Sequence, residues 1–66
     1  MNRTFTVFFI RKSDQRLLRR FTTNQMSKYF VKKTIEEQFK KVLDLYTDLE
    51  KKDIVVKEYE GVVYDW

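Results

Sequence analysis

The chain has 66 residues, contains no cysteine, histidine or proline, and carries a formal net charge of +4. The missing cysteines and histidines exclude disulfides and the usual Cys/His zinc sites. The length predicts one compact domain over residues 1–66, which buries only about 60% of its unfolded surface. Six Phe, four Tyr and one Trp must then supply stability, through dense aromatic packing or through self-association.

The N-terminal third predicts a β-hairpin. Residues Thr4–Arg11 are rich in β-branched and aromatic side chains at strand length, and Arg16–Thr22 is the predicted partner strand. The Ser and Asp within residues 12–15 favour a turn, because their side chains bond to nearby backbone groups. A four-residue loop then pairs Arg11 with Arg16.

This pairing predicts that both faces of the hairpin are substantially apolar. One face would carry Phe5, Val7, Phe9, Leu18 and Arg20, and the other Phe8, Ile10, Leu17, Phe21 and Arg19. Because one helix covers one face only, we expect the C-terminal strands, a second copy of the chain or a partner to cover the second.

The middle of the chain predicts an amphipathic helix from Thr34 to about Lys52. Residues 34–37 match a capping box, and a stripe at spacings of three and four follows it. The apolar residues at positions 26, 29 and 30 fall opposite that stripe, so a break is expected near residues 31–34. The segment from Asn24 to the break is then a short separate helix or a third strand. The stripe comprises Ile35, Phe39, Val42, Leu43, Tyr46 and Leu49.

The C-terminal segment alternates in a way that allows two structures. A turn at Glu60-Gly61 gives a hairpin in which Val55, Lys57 and Tyr59 share a face with the last residues, whereas a bulge at Gly61 gives a single strand. The predicted fold class is therefore α+β, with one amphipathic helix packed on a small antiparallel sheet in the order ββαβ or ββαββ.

The residue types argue against catalysis. Carboxylates cluster on the predicted helix at i,i+4 from lysines, as on a solvated face, and the single glycine excludes a phosphate-cradling glycine loop. We expect a non-enzyme with no metal site and no cofactor. The apolar run at residues 5–10 is too short for a signal sequence or a membrane span, so a cytoplasmic location without membrane contact is expected.

The charge is divided unequally along the chain. Residues 1–33 hold nine Lys or Arg against one acid, a balance of +8, whereas residues 34–66 hold five Lys against nine acids, a balance of −4. Such asymmetry indicates a polyanionic or acidic partner. All five arginines lie within residues 3–20, and Arg is the side chain that suits phosphate and carboxylate. The candidate binding residues are Arg11, Lys12, Arg16, Arg19 and Arg20.

These observations favour a small non-catalytic accessory or regulatory protein that binds nucleic acid through its Arg-rich hairpin. The hairpin aromatics are core residues, a stacking platform for unpaired bases or a protein or homodimer interface. The basic residues could equally form a solvated edge that resists aggregation. The chain also resembles, in general character and through no motif, small phage or mobile-element accessory proteins. The alternative function is a modulator or inhibitor that docks on an acidic or nucleic-acid-handling protein.

Overall fold

The apolar run near the N-terminus forms the central strand of a three-stranded sheet. In the computed structural model, which describes residues 3–64, strand β1 (Arg3–Arg11) is paired on both sides. Its six consecutive residues from Phe5 to Ile10 are all buried. A continuous apolar run of this length is typical of a strand covered on both faces.

The remaining elements complete an α+β fold in the predicted order ββαβ. Strand β2 (Arg16–Gln25) is followed by helix α1 (Lys28–Leu45), and a short 3-10 turn (Lys51–Asp53) leads into strand β3 (Ile54–Glu60). The sheet order is β2-β1-β3, with both pairings antiparallel. No helix within residues 3–64 is long and apolar enough to cross a membrane.

Helix α1 covers one face of the sheet, here called the helix face. The ring of Phe9 lies 5.3 Å from the ring of Phe39 on α1 in an edge-on arrangement, and 5.9 Å from the stacked ring of Phe21 on β2. Val42 and Phe9 are fully buried in the same core. All six residues of the predicted stripe pack on this core: Ile35, Phe39, Val42, Leu43, Tyr46 and Leu49.

The prediction of where the helix begins was wrong. The helix starts at Lys28 rather than Thr34, and the Thr34 hydroxyl donates to the Phe30 carbonyl (3.0 Å), as threonines do inside a helix. The buried residue Val31 extends the stripe by one turn before Ile35. Met26 and the apolar residues at 29 and 30 lie away from the stripe and are exposed. The helix is continuous through residues 31–34, where a break was expected.

Residues 24–33 are accordingly neither a separate helix nor a third strand. The segment contains the end of β2 and the first turns of α1. The helix also ends before the predicted Lys52. Tyr46 leaves the helical conformation (φ −112°, ψ 73°), and the Leu49 amide then donates to the Tyr46 carbonyl (3.0 Å). Tyr46 and Leu49 still reach the core, but from a loop, so their spacing imitates a longer helix.

A β-bulge in β2 changes which side chains share a face. Arg11 pairs with Arg16 as predicted, but Ile10 pairs with Leu17 and Phe9 with Arg19, so Leu18 is an extra residue without a partner on β1. After it, Arg19 and Phe21 lie on the helix face and Arg20 on the opposite one. The predicted assignment of Arg19, Arg20 and Phe21 was therefore wrong, because a single inserted residue reverses every later position.

The face opposite α1, here called the second face, is crossed by the C-terminal segment. Strand β3 ends at Glu60, and Gly61 turns the chain with a positive φ of 95° that suits glycine. Gly61 donates to the Thr4 carbonyl (2.7 Å), and Val63 donates to the Thr6 hydroxyl (3.0 Å). Residues 61–64 thus lie on the sheet as a non-strand segment, which is neither the predicted hairpin nor a continued strand. Residues 65 and 66 of that prediction lie outside the described part of the chain.

Candidate nucleic-acid interface

The hairpin turn is built around the carboxylate of Asp14. Arg11 binds it with a two-pronged contact, from Nε to Oδ1 (2.9 Å) and from Nη2 to Oδ2 (2.6 Å). The Arg16 amide also donates to Oδ1 (3.1 Å), and Gln15 closes the turn with a left-handed φ of 61°. Arg11, although predicted as a binding residue, thereby holds the turn together.

This contact shifts the pKa of both partners. The hydrogen bond from Arg11 holds the pKa of Asp14 at about 2, below its ordinary value of 3.8, and the hydrogen bond to Asp14 raises the pKa of Arg11. Arg11 has the carboxylate partner that its charge requires, and it is the least available of the five candidate residues for an external anion.

The Asp14 contact makes stability depend on acidity. Because the folded pKa lies below the ordinary one, ionised Asp14 contributes stability above about pH 4, and this contribution is lost as the pH falls toward 2. In urea melts between about pH 4.5 and pH 2, Asp14→Asn should be less stable than the wild type at the upper end and converge with it at the lower end. Asp44→Asn removes one exposed charge on α1 and is the matched control. A constant gap between Asp14→Asn and the wild type over this range would contradict the assignment.

Arg19 and Arg20 are adjacent in sequence but project to opposite sides of the sheet. On the helix face, Arg19 Nε donates to the Gln38 side-chain oxygen (2.8 Å). On the second face, Arg20 Nε donates to the Val63 carbonyl (2.7 Å), and its guanidinium lies 5.0 Å from the centre of the Tyr64 ring. Both acceptors are neutral, so these contacts orient the guanidinium groups without neutralising their charge.

Lys12 and Arg16 are exposed at the hairpin tip. The Lys12 amide donates to the Asp53 carbonyl (2.8 Å), which fixes the tip to the 3-10 turn before β3. The structure therefore does not gather the five predicted residues into one patch. Lys12 and Arg16 lie at the tip, Arg11 is paired inside the turn, and Arg19 and Arg20 project from opposite faces of β2.

The second face also contains residues that the sequence analysis did not assign to binding. In the ladder, Phe8 pairs with Arg20 on one side and with Lys57 on the other, so a row of side chains runs from cation to cation across the sheet. In the next row, Thr6 pairs with Tyr59. The alternation of Val55, Lys57 and Tyr59 was visible in the sequence, but their position beside Arg20 depends on the order β2-β1-β3.

Residues 3–64 enclose no cavity, and they hold no group of three or more His, Cys, Asp or Glu side chains placed to bind a metal ion. Comparisons of the chain with protein-family models, curated proteins and solved structures find no match.

Proposed function

We propose that this protein is a non-catalytic nucleic-acid-binding protein whose phosphate contacts come from the hairpin tip and β2. The observation that carries the proposal is a continuous basic segment with no acid of its own. Residues 15–35 contain no acid and form β2 and the first half of α1. The six cations of this segment are Arg16, Arg19, Arg20, Lys28, Lys32 and Lys33.

The arginine environments support phosphate as the ligand. Within residues 3–64, Arg19 and Arg20 each use Nε for a bond to a neutral oxygen. A guanidinium that is held at Nε can present its two terminal nitrogens to a phosphate as a two-pronged donor.

The acids of strand β3 lie across the sheet from β2. On β3, Glu58 and Glu60 alternate onto the helix face, opposite Val7 and Phe5 of β1. Because β2 and β3 are the two outer strands, about 10 Å separates them, which is roughly the screening length in physiological salt. The acidic strand therefore opposes anion binding at β2 only weakly.

Nucleic-acid titrations at several salt concentrations test the proposal. The logarithm of the affinity should fall linearly with the logarithm of the salt concentration, by about 0.7 per phosphate contact for a single strand and about 0.9 for a duplex. Arg16→Ala, Arg19→Ala and Arg20→Ala should each reduce that slope by about one. Lys40→Ala removes an exposed cation from the second half of α1 and should leave the slope nearly unchanged.

A protein partner is the competing function, and one observation favours it. Met26, Tyr29 and Phe30 form an exposed apolar group at the start of α1, and such groups mark protein interfaces when they are contiguous. Dissociation constants weaker than about 10⁻⁴ M at physiological salt would contradict nucleic-acid binding. A stoichiometric partner that remains bound after nuclease treatment of a lysate would then identify the protein-binding function.

A further inference from the structure

We propose that the nucleic acid is single-stranded and passes over the C-terminal segment that covers the second face of the sheet, with an unpaired base stacked on Tyr64. This inference rests on the proposed function and specifies its ligand. The second face is the side of the sheet opposite α1, and its described strand residues are Thr4, Thr6, Phe8, Ile10, Leu17, Arg20, Thr22, Asn24, Val55, Lys57 and Tyr59.

Two exposed aromatic rings lie on this face. Tyr64 is 77% exposed and Tyr59 is 41% exposed. One side of the Tyr64 ring contacts the Arg20 guanidinium, 5.0 Å from the ring centre, and its large exposed fraction leaves the rest of the ring open to a ligand. Tyr59 is supported by the buried ring of Phe8, 5.8 Å away and edge-on. Exposed rings beside cations are the arrangement on which single-stranded bases stack.

The charge of this face complements a polyanion. Arg20 pairs with Phe8 in the β1–β2 ladder, and its Nε is bonded to a neutral carbonyl. Neither the strand residues of the second face nor residues 61–64 include an acid. The helix face differs, because Glu58 and Glu60 lie on it. The second face therefore offers a phosphate backbone a path on which no described strand residue is an acid.

The C-terminal segment fixes Tyr64 before any ligand arrives. Val63 is held by two hydrogen bonds, from its amide to Thr6 (3.0 Å) and from Arg20 to its carbonyl (2.7 Å). The next residue is Tyr64, so its ring is positioned without further ordering of the backbone. Such preorganisation lowers the entropic cost of binding. Stacking also requires bases that are not already paired and stacked in a duplex, which favours a single strand.

Fluorescence anisotropy with labelled oligonucleotides tests this inference. The probes are a single strand of about 12 nucleotides, within the usual site size of a small sheet-based binder, and a duplex of the same length. Tyr64→Ala should weaken binding of the single strand by about 5- to 150-fold, as expected for loss of one stacked base. Its salt slope should stay unchanged, because a tyrosine releases no counterions. Tyr64→Phe should retain most of the affinity.

Tyr29→Ala is the matched control, because Tyr29 is similarly exposed (61%) but lies on α1. The inference is overturned if Tyr64→Ala binds the single strand as tightly as Tyr29→Ala does. It is also overturned if the wild type prefers the duplex. In either case an arginine-dependent salt slope would preserve the proposed function, whereas absence of binding to both probes would refute the function and the inference together.

Discussion

Phe9→Ala should remove a large share of the protein's free energy of unfolding. Phe9 is fully buried on β1, and its ring contacts Phe21 on β2 and Phe39 on α1. Truncating a buried phenylalanine costs about 3 to 5 kcal/mol. At roughly 0.05 to 0.15 kcal/mol per residue, a chain of this length has only about 3 to 10 kcal/mol of stability to lose.

The matched control is Phe30→Ala, which removes the same ring from a position that is 46% exposed on α1. Its free energy of unfolding should change by no more than about 0.5 kcal/mol, as for most surface positions. Urea unfolding followed by far-ultraviolet circular dichroism measures both variants. Equal midpoints for Phe9→Ala and Phe30→Ala would show that Phe9 does not anchor the core.

Thr6→Val should release the C-terminal segment from the sheet. Thr6 is the one buried polar residue within residues 3–64. Its hydroxyl donates to the Gly61 carbonyl (2.6 Å) and accepts from the Val63 amide. Valine has nearly the same shape, so no cavity forms, but both backbone groups lose their partner. We expect a destabilisation of about 1 to 3 kcal/mol and faster hydrogen exchange at the Val63 amide.

Thr6→Ser is the control that separates the effect of losing the hydroxyl from the effect of losing the methyl group. Serine keeps both hydrogen bonds and loses only the buried methyl, so the Val63 amide should remain protected even though the core is slightly less well packed. Hydrogen exchange measured by nuclear magnetic resonance distinguishes the two variants. Wild-type protection of Val63 in Thr6→Val would mean that other contacts hold the segment in place.

Local patterns predicted the parts of the fold in which a single strong signal acts. The apolar run from Phe5 to Ile10 predicted a strand covered on both faces, and all six of its residues are buried. The pairing of Arg11 with Arg16 followed from the length of the loop. All six apolar positions from Ile35 to Leu49 pack on the core as predicted, four of them from the face of α1. In each case, burial and local geometry favour the same structure.

The sequence was ambiguous where two signals compete. Leu17-Leu18-Arg19-Arg20-Phe21 does not alternate, so both the regular and the bulged register place apolar side chains on both faces. The bulged register places Phe21 in the core beneath α1. Residues 34–37 carry the local signature of a helix start, yet the burial of Val31 one turn earlier extends the helix across that signature. Tertiary packing outweighs local propensity at such positions.

The candidate site was only partly predictable for a related reason. The abundance of arginine in the hairpin was evident, but which face Arg19 and Arg20 each occupy depends on the bulge. The proximity of Arg20 to Tyr64 joins residues that are 44 positions apart, and it exists only because β3 occupies the far side of β1. No periodicity within either segment contains that information.

The order β2-β1-β3 also determines the sequence in which the two ladders can form during folding. The β1–β2 ladder closes through a four-residue loop, whereas every pair in the β1–β3 ladder joins residues at least 43 positions apart, from Arg11–Ile54 to Phe5–Glu60. The entropy of closing that long loop must be paid before the second ladder returns any stability. A chain that has folded only the hairpin therefore leaves one edge of β1 unpaired. Pairing of β3 with that edge completes the sheet, so the sheet forms cooperatively.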